Sequence, residues 1–279
     1  MNPKVSQYFS DIVTVPDENI NLAEAVLTIA LNEYPDLDTT SYLLKLDEMA
    51  NKLRTRLKPE APAKTIITSF NYYLFNKLGF SGNWRNFNDP RNSFLNDVLD
   101  RQLGIPISLS IIYVEIGKRL GLSMYGVSFP GHFLVKFISE QEEYIIDPFA
   151  GGLILQEPEL RERLIHFSAD RRSRWGLDKL LEVASNKEIL ARILRNLKHI
   201  YMDVDDYHHA LAVTSLLLML EPDALDGLRD RACIFDRLHC YRAASDDFQR
   251  YLELNPQARD YQAIQIRLNE LQHSISRLH

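Results

Sequence analysis

The sequence predicts an α+β domain, with helices packed on a small antiparallel sheet, followed by an all-α repeat module. Three observations predict it. The last third of the chain repeats itself at a fixed offset of 34 residues, Tyr207 recurring as Tyr241 and Pro222 as Pro256. An apolar run between Pro106 and Gly121 has the punctuation of a buried helix. Two short β-type runs follow it, one beginning at His132 and one ending at Asp147. A length of 279 residues exceeds that of a usual single domain. The division expected is 1–184 for the α+β part and 185–279 for the repeats.

Hydrophobic residues make up 46% and charged residues 25%, the balance of a globular chain able to bury a core. The net charge of -6 and a pI near 5.8 argue against a general attraction to nucleic acid or to an anionic membrane. Two cysteines, Cys233 and Cys240, give neither a disulfide framework nor zinc-ligand spacing, and fit a reducing compartment. Met1 to Ser10 carry no apolar signal region, and no run approaches the roughly 20 apolar residues needed to cross a bilayer. A cytoplasmic protein with no cofactor is expected.

In the α+β part, helices are expected at about 20–33, 39–57 and 62–78. The second shows Leu43, Leu44, Leu46, Met49 and Leu53 at helical spacing. After the polar turn Ser81-Gly82-Asn83-Trp84, Asp89 can cap a helix opened by Pro90 and running to about Leu99. The helix from Pro106 is apolar on nearly all faces, which places it at the centre of the domain. Strands are expected at Tyr125 to Phe129, at His132 to Phe137 after the Pro130-Gly131 turn, and at Tyr144 to Asp147. With a hairpin loop of Ile138 to Gln141, Phe137 opposes Glu142 and His132 opposes Asp147. Directly opposed residues lie about 5 Å apart, within reach for a carboxylate to orient an imidazole. The alternative is an ordinary structural histidine.

In the C-terminal third, Leu194 and Leu228, Ile200 and Ile234, Ala210 and Ala244, and Leu220 and Leu254 keep the same offset as Tyr207 and Tyr241. A 34-residue unit with a tyrosine, an alanine three residues on and a Leu-x-Pro terminator resembles the tetratricopeptide repeat. Alanine lets two antiparallel helices approach, tyrosine packs in their groove, and proline ends the second helix. The units fall at about 190–223 and 224–257, with a capping helix from Tyr261 to about Ser276. Tyr207, Ala210, Tyr241 and Ala244 are framework positions rather than ligand contacts. Two units are few for independent stability, so the repeats are expected to dock on the first domain and the fragment 185–279 to be poorly stable. Such a module either offers a concave surface to a peptide or partner helix, or braces the first domain. His208, His209, His239, Cys233 and Cys240 fall at assorted phases of the repeat, so no metal site is expected.

The succession of a buried helix preceded by Gly104 and ended by Gly121, a strand opened by His132 and a strand ended by Asp147-Pro148 resembles the transglutaminase-like superfamily of papain-type cysteine enzymes. The resemblance implies a cysteine nucleophile two residues after the glycine, a histidine base and an aspartate that orients it. His132 and Asp147 match the last two roles, and Pro106 stands in the cysteine's place. Ser108 lies about 200° around the helix from position 106, and Ser110 about 40° around but roughly 6 Å deeper. Neither replaces a thiol well; a later helix start would favour Ser108. Together with Asp89-Pro90-Arg91-Asn92-Ser93-Phe94-Leu95 and Gly104-Ile105-Pro106-Ile107, the two-part organisation resembles the bacterial SirB-type family, whose members are described either as transcriptional regulators or as proteins of unknown role, without an established reaction.

Arg161, Arg163, Arg171, Arg172, Arg174 and Lys179 form a basic cluster diluted by Glu157, Glu159, Glu162 and Asp170. That mixture reads as a solvated connector or ion-pair surface rather than a nucleic-acid site. Two functions compete, and a peptide-binding cleft that reuses His132 and Asp147 sits between them. The first is a non-catalytic regulatory or interaction protein that binds an unidentified protein or peptide. The second is a hydrolase or acyl-transfer enzyme using His132 and Asp147 with Ser108, Ser110 or another non-cysteine nucleophile.

Overall fold

The structure is a computed structural model that describes residues 3–58, 60–140, 142–165 and 176–277. The chain forms two compact units, one of residues 15–193 and one that joins residues 1–14 to 194–279.

The first unit opens with α2 (Leu22–Ala30), α3 (Thr39–Arg54) and α4 (Ala63–Asn71), the last continuing as a wider π turn over Tyr72–Lys77. Asn21 and Asp38 cap α2 and α3 by accepting first-turn N–H bonds. The single helix expected from Asp89 to Leu99 is instead two elements. Asp89 caps a 3-10 turn, Pro90–Asn92; Phe94 is then extended and buried, and α5 begins at Leu95 and runs to Arg101. The break has a cause: the Asn92 carbonyl accepts the Ser108 hydroxyl at 2.6 Å instead of carrying the helical ladder onward.

Strands β1 (Ser81–Gly82) and β2 (Leu103–Gly104) pair in parallel. They lead into α6 (Pro106–Arg119), buried from Pro106 to Gly117 as its apolar circumference requires. Gly121, at φ +77°, takes the left-handed position just past the helix end. α6 packs on α3 and on a four-stranded antiparallel sheet ordered β3 (Met124–Val127), β4 (Leu134–Ile138), β5 (Glu143–Asp147) and β6 (Leu153–Leu155). A 3-10 turn, Pro148–Ala150, joins β5 to β6. Gly152, at φ +80°, follows it, and a Cβ there would stand 1.9 Å from Asn71 Oδ1. Asn71 uses that closeness: its Nδ2 donates to the Gly152 carbonyl at 2.8 Å and its Oδ1 accepts the buried Tyr113 hydroxyl of α6. The joint between β5 and β6 is thereby tied to the central helix.

Helices α7 (Glu157–Ile165) and α8 (Leu177–Leu180) bring Leu160 and Leu180 onto Val127, Leu134, Ile145 and Leu155 of the sheet. The boundary between the units falls within α9 (Asn186–Asp203).

The second unit contains α10 (Tyr207–Leu220), α11 (Leu225–Arg237), α12 (Tyr241–Leu254) and α13 (Tyr261–Arg277), antiparallel pairs repeating at the expected spacing. Ala210 and Ala244 are fully buried. Tyr207 and Tyr241 are half-buried; Tyr207 donates to Asp205 and Tyr241 meets His239 Nδ1 at 2.9 Å. Arg231 grips Asp247 through two bonds of 2.7 and 2.8 Å, and Arg267 grips Asp236 through two of 2.7 Å. The helices expected from sequence begin at about residue 20. The structure forms α1 (Pro3–Val13) ahead of them, and it packs on α10. Among the described residues no helix is long and apolar enough to cross a membrane.

Candidate functional site

His132 and Asp147 meet, by a route that differs from the expected register. Phe137 pairs with Tyr144 and Ile138 with Glu143, so extending the ladder sets Asp147 beside Leu134, two residues from His132. His132 precedes β4, in the turn where its N–H donates to the Phe129 carbonyl. The loop has the predicted length but has slid one residue along the chain. Ser139 explains the slide: its N–H and hydroxyl both donate to the Glu142 carbonyl, at 2.9 and 2.7 Å, and its Oγ accepts the Glu142 N–H, tying Ser139 to Glu142. One residue on each strand makes a shift of two. Because side chains alternate with a period of two, every residue keeps its face, and the His132 ring reaches Asp147 diagonally.

The resulting contact is short. His132 Nε2 lies 2.9 Å from Asp147 Oδ1. A carboxylate only accepts, so Nε2 carries the proton and Nδ1 is the free lone pair of the neutral ring. Among the described residues Nδ1 has no hydrogen-bond partner. Asp147, 1% exposed, is held from four directions: Oδ1 also accepts the N–H groups of Phe149 and Ala150 as cap of the 3-10 turn, and Oδ2 accepts Arg163 Nη1 at 2.7 Å. Burial alone pushes the carboxyl up, but the bonds and charges of His132 and Arg163 outweigh it and hold Asp147 below the usual carboxylate range.

By sequence, Arg163 belongs to the basic cluster. The structure separates that group: Arg163 serves Asp147, Arg161 pairs with Glu157 at 2.6 Å, and Arg171, Arg172, Arg174 and Asp170 lie outside the described residues. A signal for Arg163 existed in the spacing, since three residues from Leu160 puts it on the face of α7 that packs against the sheet.

The two serines are placed differently from the histidine pair. Ser108 Oγ accepts the Ile105 N–H at 3.0 Å and donates to the Asn92 carbonyl, with the side chain buried. Ser110, also buried, donates to the Phe133 carbonyl at 3.4 Å, tying α6 to the residue after His132. Among the described residues neither serine hydrogen-bonds His132 or Asp147. Pro106 is the first residue of α6, where its missing N–H costs nothing.

An aromatic rim borders the histidine. The Phe149 ring meets the His132 ring edge-on at 5.9 Å, Trp84 at 4.1 Å and Phe87 at 6.0 Å. Trp84 is 70% exposed and Phe87 47%. Their loop is pinned from within: Asn92 Nδ2 donates to the carbonyls of Asn86 and Phe87, and its Oδ1 accepts Asn83 Nδ2. Asp89, bonded by Arg91 and Arg101, anchors the far end. A Cβ on Gly82 would stand 2.5 Å from the Phe149 ring, so this approach requires glycine.

An open groove elsewhere on the unit, bordered by Leu57, Pro62, Leu122, Phe137 and Tyr144, includes neither His132 nor Asp147. His209, one of the histidines considered for metal, pairs with Asp206 at 2.7 Å at the start of α10. Burial pushes the Asp206 carboxyl up, but its bonds to the His209 backbone and ring hold it below the usual range.

A model of the transglutaminase-like superfamily matches residues 40–195, and a tetratricopeptide-repeat model matches residues 197–269. A UPF0162 protein of Xylella fastidiosa (strain Temecula1) is 38% identical over 264 residues, covering 94% of each chain. The chain belongs to the UPF0162 family. Another UPF0162 protein, from Vibrio cholerae, is 29% identical over 265 residues, 92% of this chain and 96% of its own. Human F-box only protein 21 is 34% identical over 142 residues, 47% of this chain and 21% of its own. The segment matched to the superfamily contains Pro106, Ser108, Ser110, His132, Asp147 and Arg163.

Proposed function

We propose that this UPF0162 protein is a cytoplasmic, SirB-type pseudoenzyme: a non-catalytic regulatory protein whose degenerate transglutaminase-like domain and repeat module bind a protein or peptide partner. The observation that carries this reading is Pro106 at the first position of the central helix, where the nucleophile would stand. Three features support it. Ser108 and Ser110 are buried and committed to backbone carbonyls. Asp147 is shared between His132 and an arginine, so its charge does not serve the imidazole alone. Tetratricopeptide repeats generally mediate protein–protein interaction, and this chain carries a matched set.

The test is partner recovery by crosslinking with the intact chain. A specific partner should be retained by the His132→Ala variant and lost by charge reversals on the exposed surface of 194–257. Recovery of no specific partner, or indifference to those reversals, would count against the reading.

A second reading, hydrolysis or acyl transfer, is favoured by the bond between His132 and Asp147 and by the open Nδ1 lone pair. There a bound water or a substrate group acts as nucleophile, with Nδ1 accepting its proton. An acyl-ester hydrolysis lost on His132→Ala, with unchanged melting temperature, would select this reading over the first.

A further inference from the structure

α1 packs on α10 within the repeat unit. Val5, Phe9 and Val13, at i, i+4 and i+8, are 4%, 0% and 5% exposed, while Lys4, Gln7, Tyr8 and Asp11 on the opposite side are exposed. This is the pattern of an amphipathic helix seated by one stripe. α10 explains why it needs such a cover. Its buried residues Ala210, Ala212, Val213, Thr214, Leu216, Leu217 and Leu218 spread over about 240° of the helix at 100° per residue. One neighbouring helix covers far less, so α10 must be covered from a second direction. In a repeat array one cover comes from the next unit, and α11 packs on α10 in that way. α1, from the other end of the sequence, packs on α10 as a further cover.

The connection after α1 is open to solvent. Thr14, Val15 and Pro16 are exposed, and the boundary between the two units falls between Thr14 and Val15. Eleven residues form a helix too short to persist alone in water. α1 is therefore a helix that forms on its docking surface, as helix-in-groove ligands do.

We propose that α1 is a built-in ligand of the repeat module, and that the module's partner is an amphipathic helix presenting the same i, i+4, i+8 apolar anchors and taking α1's place on α10. This rests on the interaction reading above and names the chemistry of its partner. A partner must compete with a tethered helix whose effective concentration is on the order of millimolar, which sets a threshold against weak, non-specific helices.

The experiment uses the full chain with a protease recognition sequence inserted between Thr14 and Val15. After cleavage the protein is diluted, and a fluorescent synthetic peptide of residues 1–14 is added while anisotropy is followed. Saturable binding to the cut chain is expected, weaker to the uncut chain by roughly 100-fold from the tether, and at least tenfold weaker with a Phe9→Ala peptide. Circular dichroism of the cut chain checks that its helices persist. Absence of exchange with the helices intact, or equal binding of the Phe9→Ala peptide, overturns the proposal. Collapse of the cut chain on dilution, with peptide failing to restore its helicity, overturns it as well, because α1 is then an inseparable part of the fold. None of these outcomes touches the interaction reading, which partner recovery with the intact chain decides separately.

Discussion

Arg163 donates to the oxygen of Asp147 that His132 leaves free, so a carboxylate buried to 1% exposure is bonded on both sides by side-chain donors. Two chain segments converge on this one residue: the turn before β4 brings His132 and α7 brings Arg163. Asp147 is therefore a structural joint whatever chemistry the histidine performs. Its removal leaves an arginine and an imidazole facing a cavity.

Asp147→Ala should destabilise the protein by about 3–5 kcal/mol, the range for breaking a buried, hydrogen-bonded charge pair from one side. Arg163→Gln should cost less, about 1–3 kcal/mol, because Arg163 is partly exposed and glutamine can still donate one bond. Urea denaturation of the three proteins checks the order. Equal stability of wild type and Asp147→Ala would remove the joint from the account.

The same carboxylate sets a pH dependence of known sign. Its pKa is depressed in the folded protein. The stability it contributes is thus fully present above the unfolded value of about 3.9 and is lost as pH falls through the lower folded value. The stability gap between wild type and Asp147→Asn should narrow as pH falls below about 4. Denaturation midpoints at half-unit intervals measure this. A gap that widens in acid would reverse the sign and refute the assignment.

Much of this site was legible in the sequence because its signals are local. Pro106 and Gly121 bracket α6, the 34-residue offset places α10 to α13, and the parity of the hairpin brings His132 to Asp147 even with the loop slid by a residue. Other parts depend on contacts distant in sequence. Nothing around Asn92 announces that its carbonyl accepts from Ser108, and that bond breaks the helix expected through Leu99. Arg163 carried only the look of a basic surface, since its partner lies 16 residues away on a strand. The role of α1 was hidden most deeply: three apolar residues at helical spacing are visible at 5, 9 and 13, but the helix they pack on begins at Tyr207.

If Pro106 stands in the nucleophile's place, a cysteine put there should be an unusual thiol. The first turn of a helix tolerates the exchange, and unpaired N–H groups at a helix N-terminus favour a thiolate. Position 106 is buried, so the signature is the pH profile of its alkylation rather than the bare rate. From about pH 6 to 8 the iodoacetamide rate of Pro106→Cys should rise far less steeply than that of the exposed Cys240, the internal reference. The flattening should weaken when His132→Ala is added. Mass spectrometry of tryptic peptides over a time course at each pH reads both profiles. A cysteine at 106 whose profile is as steep as that of Cys240 would place the nucleophile's position elsewhere.

The position of α1 revises the expectation for the isolated repeats. The fragment 185–279 lacks α1 and so leaves bare the face of α10 that α1 covers. It should be poorly stable and bind an apolar dye, and a peptide of residues 1–14 should raise its melting temperature in a concentration-dependent way. Within the full chain, Phe9→Ala should cost about 3–5 kcal/mol, as large-to-small changes at fully buried aromatics do. Phe9→Leu, which keeps most of the apolar volume, should cost distinctly less. Calorimetry of the fragment with and without peptide decides between two origins of its weakness. Rescue by the peptide identifies the missing helix as the cause, whereas a fragment that melts cooperatively at high temperature alone shows that α10 needs no cover from α1.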